Sequence, residues 1–299
     1  MSAKTRRGPA NIEIVPADAP LGAEVRGASL LDTFDPTAME MIRQAWADYL
    51  VLVWRDQGLT VDQHIAVGRR LGTLENMSHV ATGSGLPKEI LVVENDPTKN
   101  KSAAPPADYL RGFQNKYVQW HSDQSYRDVP PMGSLLLMRE APKTGGVTLF
   151  SNMYAAYEEL DDRLKAKVER RYAIHDPSLN SANVLREGAV PPADVSKGTG
   201  PRHPLVRLHP VTERPALYLG RRPFAYIVGY SVYESETLLD ELWAHATDPR
   251  FVWTRSENRA GDMLLWDNRC TMHARTALDS DARRLAHRVQ IAGESPVPK

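Results

Sequence analysis

From Met132 onward, short apolar runs rich in β-branched and aromatic residues come close together along the chain. The runs are Ser134 to Met138, Val147 to Phe150, Leu205 to Leu208, Ala216 to Leu219, Phe251 to Thr254, Met263 to Trp266 and Ala286 to Ile291. Helical periodicity interrupts them at Ala155 to Arg171 and at Glu234 to Ala246. The pattern predicts an α+β protein built on a double-stranded β-helix, or jelly-roll barrel, flanked by helices. A doubly wound parallel sheet competes, but neither GxGxxG nor GxxxxGK[ST] follows any strand.

The N-terminal part adds a strand at Ile12 to Val15 and a Gly-punctuated stretch from Gly22 to Leu30. A helix then starts at Asp35-Pro36 and carries the stripe Met39, Ile42, Trp46, Leu50. Val51 to Trp54 reads as a buried strand, Thr60 as the cap of a helix reaching Leu71, and Ile90 to Val93 as another strand. Residues 95–115 and 177–203 lose periodicity, and loops of that length in a compact domain usually cover a site, so both are expected to be lids. With residues 1–10 as a disordered tail, the 299 residues form one domain.

Lys plus Arg equals Asp plus Glu at 37 each. A neutral chain lacks the basic excess that nucleic-acid or membrane-surface binding requires, so neither partner is expected. No apolar run reaches the roughly 20 residues of a membrane span. The lone cysteine, Cys270, forms no internal disulfide, and a reducing cytoplasm fits best. Any metal must then be held by His and carboxylates, not by a thiolate cluster.

His121-Ser122-Asp123 supplies such a pair: in an extended segment, residues i and i+2 share a face and can grip one ion. Trp266-Asp267-Asn268-Arg269 ends an apolar run and His273 follows after a short turn, offering a third ligand from a distant strand. Two His and one carboxylate leave three positions open, which suits non-haem iron(II) and also zinc, so the triad does not decide the metal. Arg284 and Arg288 are four apart in a predicted strand and its approach, hence on one face, and guanidinium forks bind carboxylates.

With WHSDQSY (Trp120 to Tyr126), APKTGGVTLF (Ala141 to Phe150), HPLVRLHP (His203 to Pro210), LLWDNRCTMH (Leu264 to His273) and RRLAHR (Arg283 to Arg288), the chain resembles the taurine/2,4-dichlorophenoxyacetate dioxygenase family of Fe(II)/2-oxoglutarate oxygenases. The likeness runs from about Ala23 to Gly293. It implies that His121, Asp123 and His273 hold iron(II) and act in catalysis. Arg284 would bind the distal carboxylate of 2-oxoglutarate, helped by Thr148 of the GGxT motif. It places Arg288 at the anionic end of the primary substrate and His79 near a substrate-contacting histidine. The implied reaction consumes 2-oxoglutarate and O2, hydroxylates a small organic anion (a sulfonate, alkyl sulfate or aryloxyalkanoate) and releases succinate and CO2.

Departures from the taurine enzyme concern the substrate. Tyr117 stands where that enzyme has Asn, no Tyr follows His79 closely, and Arg221-Arg222-Pro223-Phe224 fills a segment that shapes the pocket. These residues fit a bulkier anion than taurine, with Tyr117 and Phe224 as contacts. Family members are commonly dimers or tetramers, so a homo-oligomer is expected. Two other classes use the same triad: a zinc hydrolase, which has no use for Arg284 or Thr148, and a non-catalytic metal-binding jelly roll, which would show no co-substrate affinity. His64, His245, His203 and His209 read as structural, Asp267 and Asn268 as the residues orienting the turn before His273, and Cys270 as buried and inert.

Overall fold

Runs that are apolar at every position can settle only where both faces of a sheet are covered, and three of them lie side by side here. The computed structural model describes residues 5–7, 12–27, 29–30, 36–78, 85–96, 118–279 and 281–299. Its strands are β1 (Arg6–Arg7), β2 (Glu13–Pro16), β3 (Ala23–Arg26), β4 (Val51–Trp54), β5 (Leu91–Asn95), β6 (Val118–His121), β7 (Gly133–Glu140), β8 (Thr148–Asn152) and β9 (Tyr172–Ile174). They continue as β10 (Arg202–Pro204), β11 (Val206–Leu208), β12 (Pro215–Leu217), β13 (Tyr226–Ile227), β14 (Val252–Arg255), β15 (Met263–Asp267), β16 (Thr271–Arg275), β17 (Arg284–Ile291) and β18 (Val297–Pro298). The helices are α1 (Pro36–Tyr49), α2 (Val61–Leu71), α3 (Met153–Glu158), α4 (Asp162–Val168) and α5 (Val232–Ala246). The fold is mixed α+β.

The large sheet has the order β1-β2-β3-β4-β15-β7-β17-β5, antiparallel except for the β3–β4 pair. A four-stranded antiparallel sheet, β14-β8-β16-β6, carries the other half of the site, and two small three-stranded sheets flank them. Alternation along β7 divides the interior. Leu136 and Met138 join Leu264, Trp266 and Ala286 in a core shared with Phe150 and Met272 of the four-stranded sheet. Leu135 and Leu137 point the other way, into a second core with Ile42 and Trp46 of α1 and Ile65 and Val67 of α2. Thr60 caps α2 as expected, in a capping box with Gln63.

Two expectations change. The helix predicted over 155–171 is two: the Asp161 carboxylate accepts the Leu164 amide at 2.7 Å and starts α4 as a separate helix. Within the expected tail, the backbone of Arg6–Arg7 pairs with β2. The expected lid at 95–115 lies almost wholly outside the described residues, as do His79 and Tyr117.

His64 of α2 is fully buried, its Nε2 3.1 Å from the Leu135 carbonyl. Burial pushes its pKa down to about 4, below the ordinary value of 6.5. A depressed histidine contributes stability that is present above the unfolded-state pKa and is lost as pH falls through the window from 6.5 to about 4. Lowering the pH from 7 to 5 should therefore cost the native protein roughly 2 kcal/mol more unfolding free energy than it costs His64→Gln. Urea unfolding of both proteins at the two pH values checks this; equal losses would refute it.

Candidate metal centre

His121 is the last residue of β6, and its antiparallel partner across the pair is His273 of β16. Register thus brings the two imidazoles together, with ring centroids 4.2 Å apart. Asp123 does not continue the strand as the extended reading of 121–123 expected; it opens the turn that follows. The side chain of Asn268 accounts for this, because its Oδ1 accepts the Asp123 amide at 2.6 Å while its Nδ2 donates to the carbonyls of Asp123 and Pro131, each at 2.9 Å. The carboxylate still converges on the imidazoles: Asp123 Oδ1 lies 3.6 Å from His121 Nε2 and 3.9 Å from His273 Nε2. Asn268, expected to orient the turn before His273, bonds through its side chain to the main chain of Asp123 and Pro131.

The ring orientation also favours coordination. His121 Nδ1 is 2.7 Å from the Gln119 carbonyl, so that nitrogen carries the proton and the Nε2 lone pair faces Asp123. Burial lowers the pKa of both histidines, and for His273 the neighbouring His121 adds to the effect, so both are neutral and able to coordinate at neutral pH. Burial alone would raise the Asp123 pKa. The Arg288 guanidinium beside it leads the effects that outweigh burial and hold the carboxyl well below its usual range. Asp123 Oδ1 accepts from Arg288 Nη1 and Oδ2 from Ser134 Oγ, each at 2.8 Å. Ser134 accepts in turn from Gln290 Nε2 at 3.2 Å, and Gln290 accepts from Gln124.

Two cavities meet at this centre. One, of about 330 Å³, is bordered by His121, His273, Thr148, Arg275, Arg284 and Arg288. Arg284 is 4% exposed and pairs with no carboxylate among the described residues; its Nε has no partner there. Burial, reinforced by Arg275 and Arg288, pushes its pKa down to about 9. A buried cation left without a counter-charge is costly, and a bound anion removes that cost. The second cavity, of about 750 Å³, is bordered by Asp123, Arg288, Tyr126 and Arg221 among others. Residues of the 177–203 stretch, including Asn180 and Arg186, line it as well. Phe224 faces a third space, of about 580 Å³, with Trp120 and Trp243, and borders neither of the first two.

Two imidazole nitrogens and a carboxylate oxygen within 4.8 Å of one another fit a divalent ion such as iron(II). A second buried trio, His209, Asp267 and Cys270, does not. His209 Nδ1 accepts the amides of Val211 and Thr212, so its Nε2 donates to Asp267 at 3.0 Å and no lone pair remains. Arg269 Nε and Nη2 also bond to Asp267, at 2.9 and 2.6 Å. Burial, then Asp267, pushes the Cys270 thiol well up, so it stays protonated. Sequence reasoning missed Ser134 and Arg275. Ser134 is a polar residue in an otherwise apolar buried run, which demands a partner, and Arg275 stands two residues beyond His273 in one strand.

A model of the taurine catabolism dioxygenase TauD, TfdA family matches residues 13–290. The (S)-phenoxypropionate/alpha-ketoglutarate-dioxygenase of Sphingobium herbicidovorans is 34% identical over 287 residues, covering 94% of this chain and 95% of its own. A solved taurine dioxygenase from Burkholderia xenovorans is similar with a TM-score of 0.76 at 31% identity, over 97% of this chain and 93% of that one. AAD-2, solved in complex with Mn(II) and N-oxalylglycine, has a TM-score of 0.76 at 30% identity, over 95% and 99% of the two chains.

Proposed function

Since the chain belongs to the TauD, TfdA family of 2-oxoglutarate-dependent dioxygenases, we propose that it hydroxylates a small organic anion bound beside Arg288, with His121, Asp123 and His273 as its iron ligands. The enzyme takes iron(II), 2-oxoglutarate and O2. The observation that carries the site reading is Arg284: a buried guanidinium without a carboxylate partner among the described residues, in the same small cavity as His121, His273 and Thr148. Neither a zinc hydrolase nor a storage-type jelly roll has a use for it.

When bound, iron(II) and 2-oxoglutarate supply the oxidising power by activating O2 as the oxo-acid is decarboxylated to succinate. The protein's own residues do the positioning. Arg284 and Thr148 hold the distal carboxylate of 2-oxoglutarate. Leu136, Met138, Leu264 and Trp266 line the same cavity and exclude water from the reacting atoms. Arg288 borders both cavities, so one guanidinium both steadies Asp123 and meets the substrate's anionic group where it approaches the ion.

The substrate reading rests on the relatives: phenoxypropionate is named for one and taurine for another, both organic anions. The larger cavity and Arg221 within it favour an aryloxyalkanoate or another bulky anion over taurine. Phe224 would serve at most a distal part of such a substrate. The same reading makes the two large sheets a double-stranded β-helix, supported by their shared core, and makes 95–115 and 177–203 lids over it, supported for the latter by Asn180 and Arg186 at the larger cavity. It extends to a cytoplasmic homo-oligomer, dimer or tetramer; no described helix is long and apolar enough to cross a membrane.

Anaerobic addition of 2-oxoglutarate to the iron(II) protein should give a weak visible charge-transfer band. In air, succinate release should rise above its uncoupled rate with a member of a panel of sulfonates, alkyl sulfates and aryloxyalkanoates. A colourless anaerobic mixture, or an uncoupled rate that no anion changes, would count against the assignment.

A further inference from the structure

The larger cavity, which Asp123 and Glu187 also line, holds a buried cation with no direct ion pair among the described residues. Arg221 is 8% exposed, and among the described residues it pairs with no carboxylate. Its Nη1 donates to the Leu179 carbonyl at a long 3.3 Å, and its Nε has no partner among the described residues. The guanidinium lies 6.0 Å from the Tyr126 ring centroid, and Arg186 lies 4.3 Å from the same ring. Arg186 Nε is also without a partner among the described residues. One aromatic face offsets only part of the charge of two guanidiniums. Burial, and next the like charge of Arg186, push Arg221 down to about 10.

The neighbouring residue shows that the chain pairs its arginines where they serve structure: Arg222 bonds to Glu236 at 2.7 Å and to Asp240 at 2.6 Å. Arg288, across the cavity, has Asp123 at 2.8 Å. Arg221 is also held in place relative to the metal centre. Gly220 accepts the amide of Ser122, the residue between His121 and Asp123, at 3.1 Å. Gly220 has a φ of +67°, and a side chain there would run into His175, so the backbone leading into Arg221 admits little else. A buried guanidinium that lines a cavity, follows a backbone tied to the metal centre and has no ion pair among the described residues is what an arriving anion stabilises.

We propose that Arg221, flanked by Arg186 and Tyr126, is a second anion subsite, and that the preferred primary substrate is a dianion with one charged group at Arg288 and the other at Arg221. This rests on the reading that the larger cavity takes the organic substrate. The Tyr126 ring beside the subsite suits an aromatic spacer between the two charges.

Calorimetric titration of the full-length protein with Mn(II) and 2-oxoglutarate, without oxygen, can compare phenoxyacetate with 4-carboxyphenoxyacetate, which share a ring and differ by one carboxylate. The dianion should bind at least about tenfold more tightly. Arg221→Gln should abolish that advantage while leaving phenoxyacetate within about threefold of its native affinity. Arg221→Lys, which keeps the charge, should retain part of the advantage and so separates loss of the subsite from misfolding. A native protein with no preference for the dianion, binding of neither compound, or an equal weakening of both by Arg221→Gln would overturn the subsite. The underlying reading fails separately, if the iron-loaded enzyme releases no extra succinate with any organic anion; an Arg221-dependent preference would stand even then.

Discussion

Arg284→Gln should raise the 2-oxoglutarate concentration needed for half-maximal succinate release by about a hundredfold, the effect of losing one partner of a buried, charge-assisted pair. Glutamine retains a hydrogen-bond donor but neither the charge nor the planar fork. Arg284 reaches no metal ligand through any described hydrogen bond, so the affinity for Mn(II) should hold within about threefold. That split distinguishes a co-substrate residue from a structural one. Removing a buried cation that has no ion pair among the described residues should not destabilise the fold, and the urea midpoint should stay level or rise. A parallel fall in metal and 2-oxoglutarate affinity would mean that Arg284 shapes the whole centre instead of one end of it.

Asp123→Asn should be the more damaging change, lowering metal affinity at least about a hundredfold and abolishing detectable succinate formation. Asp123 is the only carboxylate in the cluster and the residue on which Arg288 and Ser134 both converge. Asparagine keeps the shape. It would leave the two imidazoles with a neutral third ligand and turn one acceptor into a donor facing Arg288 or Ser134. Metal titration followed by tryptophan fluorescence, with circular dichroism as the folding control, reads the outcome. Retention of native metal affinity would remove Asp123 from the ligand set.

What could be read from the chain and what could not divide along the range of the interactions. The central strands β4, β7 and β15 announce themselves as apolar runs because they are covered on both faces, whereas β6 and β16, which carry His121 and His273, were not among the predicted strands. The convergence of His121, Asp123 and His273 was readable from His121-Ser122-Asp123 together with a histidine behind a distant strand end. Arg284 and Arg288 were readable because four residues along a strand return a side chain to the same face. The split between α3 and α4 was in principle local, since Asp161 precedes its capped amide by three residues, yet the apolar periodicity runs across the break and hides it. The role of Asn268 had no local signal: it bonds a backbone 145 residues away, and proximity in the chain suggested His273 as its charge. Arg221 shows the same limit from the other side. Arg221 and Arg222 are identical as letters, and only packing decides that Arg222 finds two carboxylates and Arg221 finds none among the described residues.

Asn268 grips the main chain of Asp123 and leaves the carboxylate to others, and the strand pairing of β6 with β16 aligns the imidazoles. None of these bonds involves an ion. A chelator should therefore strip the protein without melting it, in contrast to a zinc finger, whose folding the metal itself drives. Reloading would need no conformational search, and in a cell short of iron the emptied polypeptide would wait intact for the next ion.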